Sequence, residues 1–517
     1  MVDNPVNSGP VLIPPNDSFN QEWVKNVHPP TWKNPKPAGQ YNLVVIGAGT
    51  AGLVTAAVAA HLGARVALIE RHLMGGDCLN TGCVPSKGII RAAREWTTIS
   101  RGAEFGLEFP PNTRCNFDVA MARMRRLRAY ISRTDSVKRF TSLGVDVFIG
   151  EAQFASRNTV KVDNTTLCFS RAVICTGTRP SAPQIPGLKE TGYLTNETIF
   201  SLTKQPERLA VIGAGPIGCE LAQSFARFGS KVVLLEQINQ ILPREDKDAA
   251  KIVQNQMEKD GIEFIFDVSI DTVEQLPNKN KIIRYKTSKG ESALVVDEIL
   301  VSVGRMPNVE NLDLKTAGVL HDMAGIKVNA QLQTSNPQIY AAGDVCFPFQ
   351  FTHTADALAQ IVIRNALFPH PFKLGMATTK DLIIPWCTFT DPEIAHVGMY
   401  ESDAKAKGIE VETFTQTFKE IDRAILDSED HGFARIHVKK GSDQILGATI
   451  VGPNAGNIIS EVTVTMKAGA GLSVIGNTIH PYPTQAEVLR KLANQLRLAR
   501  FSKLQKKFLS YLFSLGR

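Results

Sequence analysis

Tyr41-Asn42-Leu43-Val44-Val45-Ile46-Gly47-Ala48-Gly49-Thr50-Ala51-Gly52 runs from an apolar stretch into three closely spaced glycines. The apolar run reads as a buried strand and the glycines as a tight turn that lets backbone approach a ligand. Leu53 to Leu62 continues as a helix, and Arg65 to Glu70 as a second strand. Gly47, Gly49 and Gly52 thus open a helix whose N-terminus faces a pyrophosphate. Glu70, 70 − 47 = 23 positions after Gly47, stands where an acid accepts from a ribose hydroxyl.

The unit recurs. Leu209 to Ile212, Gly213-Ala214-Gly215-Pro216-Ile217-Gly218, a helix to Phe228 and a strand from Lys231 to Leu235 lead to Glu236, again 236 − 213 = 23 positions on. Two such units, marked by Gly47, Gly49, Gly52 and by Gly213, Gly215, Gly218, predict an α/β fold with two Rossmann-like domains and two bound dinucleotides. A carboxylate at Glu236 accepts from a 2′-hydroxyl and repels a 2′-phosphate, which favours NADH over NADPH. Lys231 and Arg244 are the nearby bases that could still receive a phosphate.

After the first unit comes Gly75-Gly76-Asp77-Cys78-Leu79-Asn80-Thr81-Gly82-Cys83-Val84-Pro85-Ser86-Lys87. It sets two cysteines five positions apart where a glycine-rich turn enters a helix. The unpaired N–H groups of a helix N-terminus lower the pKa of a thiol in its first turn, and Cys83 is the one so favoured. Cys78, upstream, is expected to be the more accessible. A structural disulfide or half of a zinc site are the plainer readings, but no second Cys/His pair with metal-ligand spacing follows. A redox-active or soft-metal dithiol is the stronger one, with FAD on the first dinucleotide unit and a nicotinamide cofactor on the second. Asp77 adds a negative charge that disfavours a Cys78 thiolate.

This stretch resembles the active-site segment of the flavin-dependent pyridine nucleotide-disulfide oxidoreductases, the family that includes glutathione reductase, dihydrolipoamide dehydrogenase and mercuric reductase. The resemblance implies a homodimer with an active site shared between subunits. It implies that Cys83 contacts the flavin, that Cys78 faces substrate, and that Lys87 and Glu220 pair beside the flavin. Thr176-Gly177 resembles the crossing between FAD and NAD domains, and Gly304 the return. Gly343-Asp344 resembles the segment whose aspartate hydrogen-bonds the FAD ribityl chain. The division it suggests is a Pro-rich extension (1–40), the first part of an FAD-binding domain (41–185), an NAD(P)-binding domain (186–305), an FAD-domain return (306–377), an α+β dimer-interface domain (378–495) and a basic amphipathic tail (496–517).

The 517 residues exceed a single core, and 57 basic against 50 acidic residues give a net charge of +7, too diffuse for a nucleic-acid reader. Eight cysteines are few for this length, which with the absence of a visible leader or spanning segment suggests a soluble cytoplasmic protein. Cys175 and Cys219 are expected to pack as small apolar residues. Residues 1–40 carry many prolines and no hydrophobic period, so no regular element is expected there, and Trp23 and Trp32 are expected to pack this extension on the surface. Asp118 to Leu143 reads as one long helix whose arginines form a solvated face, with an anionic-partner site as the alternative. Leu498, Phe501, Leu504, Phe508 and Leu512 recur at helical spacing among Arg and Lys. That basic amphipathic helix packs on its own subunit or lies on an anionic membrane surface.

The substrate is decided at His480-Pro481-Tyr482-Pro483-Thr484-Gln485-Ala486-Glu487. In the disulfide reductases of the family a histidine stands immediately before the Pro-Thr and pairs with the glutamate, matched here by Glu487. Here that position is Tyr482, and His480 lies two residues earlier. A phenol with pKa near 10 shuttles protons poorly at neutral pH, whereas an imidazole near 6.5 does so well. The departure resembles mercuric reductases, and the resemblance is to mercuric reductase-like proteins that lack the C-terminal vicinal cysteine pair, since residues 1–77 and 388–517 contain no cysteine. Hg(II) is soft and favours thiolates, so Cys78 and Cys83 become its transient ligands. A register shift that lets His480 serve, a disulfide reductase or lipoamide dehydrogenase, and a non-catalytic redox sensor are the alternatives. Cys78 is also open to glutathione or a glutaredoxin.

Overall fold

The computed structural model describes residues 11–37, 39–110 and 113–515. They form two compact units, one running to Gln237 and resuming over Phe264–Leu382, the other comprising Ile238–Glu263 and the chain from Ile383 onward.

In the first unit a helix stands where none was expected. α1 (Ser18–Val27) is capped by Asp17, whose carboxylate accepts from the Asn20 N–H at 2.8 Å, and it buries Trp23, Val24 and Val27. The flanking prolines hide this stripe from a reading by composition, because one capped helix fits between Pro15 and Pro29. The glycine-bearing unit follows as β1 (Gln40–Ile46), α2 (Thr50–His61) and β2 (Val66–Glu70). β1 and β2 pair in parallel, Leu43 against Val66. α3 (Gly76–Asn80) and α4 (Cys83–Ser100) carry the two cysteines.

α5 (Phe117–Ile131) ends sooner than its sequence suggested. Ser132 folds its hydroxyl back onto the Ala129 carbonyl, and Ser136 caps a separate short helix, Val137–Ser142. The arginines of α5 are not all solvated either. Arg125 and Arg128 are buried, the first on Asp17 at 2.6 Å, the second donating to Asn20 at 2.8 Å with its guanidinium 3.6 Å over the Trp23 ring. Burial, and then the charge of Arg125, pull Arg128 down to about 9. These two side chains dock α1.

β3 (Val145–Ile149), β4 (Ala152–Ser156), β5 (Thr159–Val162) and β6 (Thr165–Ile174) complete a sheet ordered β3-β2-β1-β6-β5-β4, with Ile339–Ala341 also pairing with β6. The second glycine unit is β7 (Arg208–Ile212), α6 (Pro216–Phe228) and β8 (Lys231–Leu235), with β9 (Glu298–Val301) parallel to β7 on its other side. α7 (Thr352–Leu367) closes this unit. Cys175 and Cys219 are buried, as small apolar residues are.

The second unit is a five-stranded antiparallel sheet of β10 (Pro385–Thr388), β11 (Glu393–Gly398), β12 (Val411–Thr417), β13 (Phe433–Lys439) and β14 (Ile445–Gly452), ordered β10-β11-β14-β13-β12. α8 (Ala455–Lys467) and α9 (Glu487–Ala499) add their apolar faces to its core. The earlier segment belongs here through Glu245. It is buried, its carboxyl pushed up by that burial, and it accepts from Trp386 Nε1 and from the Tyr400 hydroxyl, each at 2.8 Å. Arg435 reaches Asp246 at 3.1 Å and also pairs with Asp248. The expected continuous tail helix is instead two, α9 and α10 (Lys503–Leu515), parted at Arg500.

Candidate active site at the junction of two helix N-termini

Gly75, at φ 100°, starts α3, and a Cβ on Gly76 would lie 2.5 Å from the Gly49 Cα. Both positions demand glycine, and the second presses the cysteine segment onto the first dinucleotide turn. Cys83 is the first residue of α4, and its sulfur lies 3.3 Å from the hydroxyl of Thr352, the first residue of α7. The thiol therefore sits at two helix N-termini, each favouring negative charge. A hydrogen bond from Cys78, the Thr352 hydroxyl and the charge of Lys87 outweigh burial and pull Cys83 down to about 6. Cys78 moves the other way, because it holds its proton toward Cys83, is desolvated and stands by Asp77. At neutral pH the pair carries one thiolate, on Cys83. In the chain taken by itself Cys83 is exposed and Cys78 half-buried, where the sequence made Cys78 the more accessible.

Lys87, one turn along α4, donates to buried Glu220 of α6 at 2.8 Å. Asp77 accepts from the Thr81 hydroxyl at 2.7 Å and the Asn196 amide at 3.0 Å, and pairs with Arg305 at 3.2 Å. Arg305 Nε donates to the Thr178 hydroxyl at 2.7 Å, which in turn donates to Asp344 at 3.1 Å. This chain of polar groups joins the cysteine segment to Asp344, whose carboxyl burial pushes up. Thr176 donates to the Asn308 carbonyl at 2.7 Å, Gly177 lies at φ 64° and Gly304 at φ 127°. Gly343, at φ 84°, faces Ala51 of α2, with room for no more than a Cβ at 3.4 Å.

Both glycine turns fit a dinucleotide. A Cβ on Gly52 would lie 1.8 Å from the Gly47 carbonyl oxygen, and one on Gly218 2.1 Å from that of Gly213, so each helix starts flush against its strand. Gly47 and Gly213 both adopt φ 101°, and Gly215 opens onto free space. Glu70 accepts from the Ala48 N–H at 2.8 Å and Glu236 from the Ala214 N–H at 2.7 Å, which fixes the turns and leaves lone pairs for a ribose.

A family model described as pyridine nucleotide-disulphide oxidoreductase matches residues 41–360, and one for the dimerisation domain of the same family matches residues 384–493. The chain belongs to the pyridine nucleotide-disulphide oxidoreductases. Its relatives include a mercuric reductase of Staphylococcus aureus, 34% identical over 461 residues, covering 88% of this chain and 82% of that protein. A dihydrolipoyl dehydrogenase of Geobacillus stearothermophilus is 33% identical over 459 residues, covering 87% and 95%. Among solved structures, the HOCl-induced flavoprotein disulfide reductase RclA from Escherichia coli superposes with a TM-score of 0.77 at 28% identity, over 88% of this chain and 99% of that one. As an oxidoreductase of this family the protein binds FAD and takes electrons from NAD(P)H.

In the oxidoreductase's second unit the three residues expected to share proton transfer are each engaged elsewhere. The exposed Tyr482 hydroxyl donates to Asp422 at 2.8 Å, which raises the phenol further. His480 has a buried side chain, with Nε2 2.9 Å from Glu461 and Nδ1 3.0 Å from the Thr478 carbonyl. Glu487 accepts from Arg490 at 2.7 Å. The reading by sequence missed Thr352, Arg305 and Thr178. It took Trp23 for a surface contact of the extension, whereas the indole is buried and its Nε1 donates to Asn80 of α3 at 2.9 Å, while Arg128 donates to the Asn80 carbonyl at 2.9 Å.

Proposed function

We propose that this oxidoreductase carries electrons from NADH through FAD to the site of the reduced Cys78–Cys83 pair, where they reduce a thiophilic metal ion, Hg(II) foremost. Bound FAD supplies the electron pair, received from the nicotinamide as hydride. The glycine turns with Glu70 and Asp344 are the residues that would hold FAD, and Gly213, Gly215, Gly218 and Glu236 the nicotinamide cofactor. Cys83 is a thiolate before the ion arrives. Cys78 yields its proton on binding it, so two soft sulfurs hold Hg(II). The ion takes two electrons and leaves as Hg(0), and the two sulfurs remain reduced. Lys87, anchored by Glu220, keeps a positive charge one turn from the Cys83 sulfur.

The observation that carries this reading is the engagement of Tyr482 with Asp422 and of Glu487 with Arg490. Thiol–disulfide exchange needs a proton shuttle poised near neutral pH, and a phenol held by a carboxylate is the wrong group. A small thiol such as glutathione is a suitable carrier to Cys78. The protein acts as a homodimer in the cytoplasm, the compartment that the small number of cysteines for this length suits. A second reading, lipoamide or glutathione disulfide reduction, is favoured by the dihydrolipoyl dehydrogenase relatives. Oxidation of NADH and NADPH should be measured with HgCl₂ in excess thiol, lipoamide and glutathione disulfide. Turnover should depend on Hg(II), prefer NADH, and fall at least about 100-fold in Cys78→Ser. A kcat/KM for either disulfide above that for Hg(II) would overturn the proposal in favour of the second reading.

A further inference from the structure

α10 lies beyond the matched dimerisation domain, and it is clothed in bulky apolar side chains that stay in water. Leu504, Phe508, Tyr511, Leu512, Phe513 and Leu515 are between 44% and 80% exposed. At 3.6 residues per turn, Leu504, Phe508, Tyr511, Leu512 and Leu515 fall within roughly 100° of one another, with Leu509 and Phe513 on the adjoining flank. Lys506 and Lys507 occupy the remaining arc, and neither has an ion-pair partner among the described residues. After Glu487 the sequence contains no acidic residue, while Arg497, Arg500, Lys503, Lys506 and Lys507 are all basic.

We propose that α10 docks the oxidoreductase on a bilayer surface rich in anionic phospholipid. Charge complementarity argues for lipid. The apolar arc is wide and the only charged side chains beside it are cations, the pattern that sinks to the acyl boundary while its lysines meet phosphate headgroups. Thirteen residues span about 20 Å, too short for a hydrocarbon core of about 30 Å, and no described helix is long and apolar enough to cross a membrane. The helix therefore lies in the plane of the surface. A second copy of this chain is the poorer occupant. Val464, Val474 and Ile479, which offer apolar surface for one, lie within the matched dimerisation domain.

Full-length flavin-loaded protein is sedimented with phosphatidylcholine vesicles and with mixed phosphatidylglycerol–phosphatidylcholine vesicles. Binding is expected to the mixed vesicles only, and to be released by about 0.5 M NaCl, where charges screen within a few ångströms. Each lysine at an anionic surface is worth roughly a factor of five, so K506E/K507E should weaken partitioning by at least about 25-fold. F508D/L512D should abolish it while flavin absorbance and sedimentation velocity stay those of the parent. Equal pelleting of K506E/K507E, or binding that ignores lipid charge, overturns the proposal. So does an F508D/L512D protein that changes its oligomeric state but still binds vesicles, which would assign this face to another copy.

Discussion

Thr352 and Cys83 are 269 positions apart in sequence, and a single hydroxyl at 3.3 Å joins them. A hydrogen bond to a charged acceptor contributes roughly 1.5–3 kcal/mol, so Thr352→Val should raise the Cys83 midpoint from about 6 by about one unit or more. The sign follows from which form is held. Below pH 6 the thiol carries its proton, and alkylation by iodoacetamide is slow. The rate climbs with pH through the midpoint and levels off above it. In the variant the same curve should move to higher pH, and a curve that stays in place removes Thr352 from this role. None of this was legible beforehand. Cys83 showed itself because glycine turn, cysteine and proline are local signals, whereas the partner that tunes it lies on α7, at a distance no spacing rule reaches. Asp77 was visible as a charge beside Cys78, but its tie to Arg305 and onward to Asp344 was not.

At the scale of elements, α1 is a strut under the thiol-bearing turn. Trp23 fills the core and hands its N–H to Asn80, which also donates to the carbonyls of Leu73 and Met74, each at 3.2 Å. Trp23→Phe keeps most of the bulk but leaves a buried amide oxygen without its donor, a loss of about 1–3 kcal/mol. Trp23→Ala empties the site at about 3–5 kcal/mol. Thermal unfolding should rank wild type above Phe above Ala. If Phe matches wild type, the Asn80 bond contributes nothing. Strand–turn–helix units were readable from residues because their hydrophobic period, glycines and closing acids occur within thirty positions. α1 and the arginines of α5 were misread for one reason. A buried Arg128 looks like any surface arginine until its partner Asn20, 108 residues away, is in place.

At the scale of the molecule, the second unit is not one stretch of chain. Its sheet is written after Ile383, but Glu245, Asp246 and the helix Lys247–Lys259 come from far upstream. A fragment of residues 383–515 would expose the apolar surface that Ala249, Ala250, Val253 and Met257 cover on the sheet, and would remove the acceptors of Trp386 Nε1, the Tyr400 hydroxyl and Arg435. Expressed alone it should aggregate, and restoring residues 238–263 through a linker should return it to the soluble fraction. A soluble bare fragment would show that Glu245 is dispensable. For protein engineers the consequence is practical. Chimaeras that swap substrate preference by exchanging this lobe with a relative must transplant both pieces together, because Glu245 is encoded 141 positions before its indole partner Trp386 and 155 before its phenol partner Tyr400.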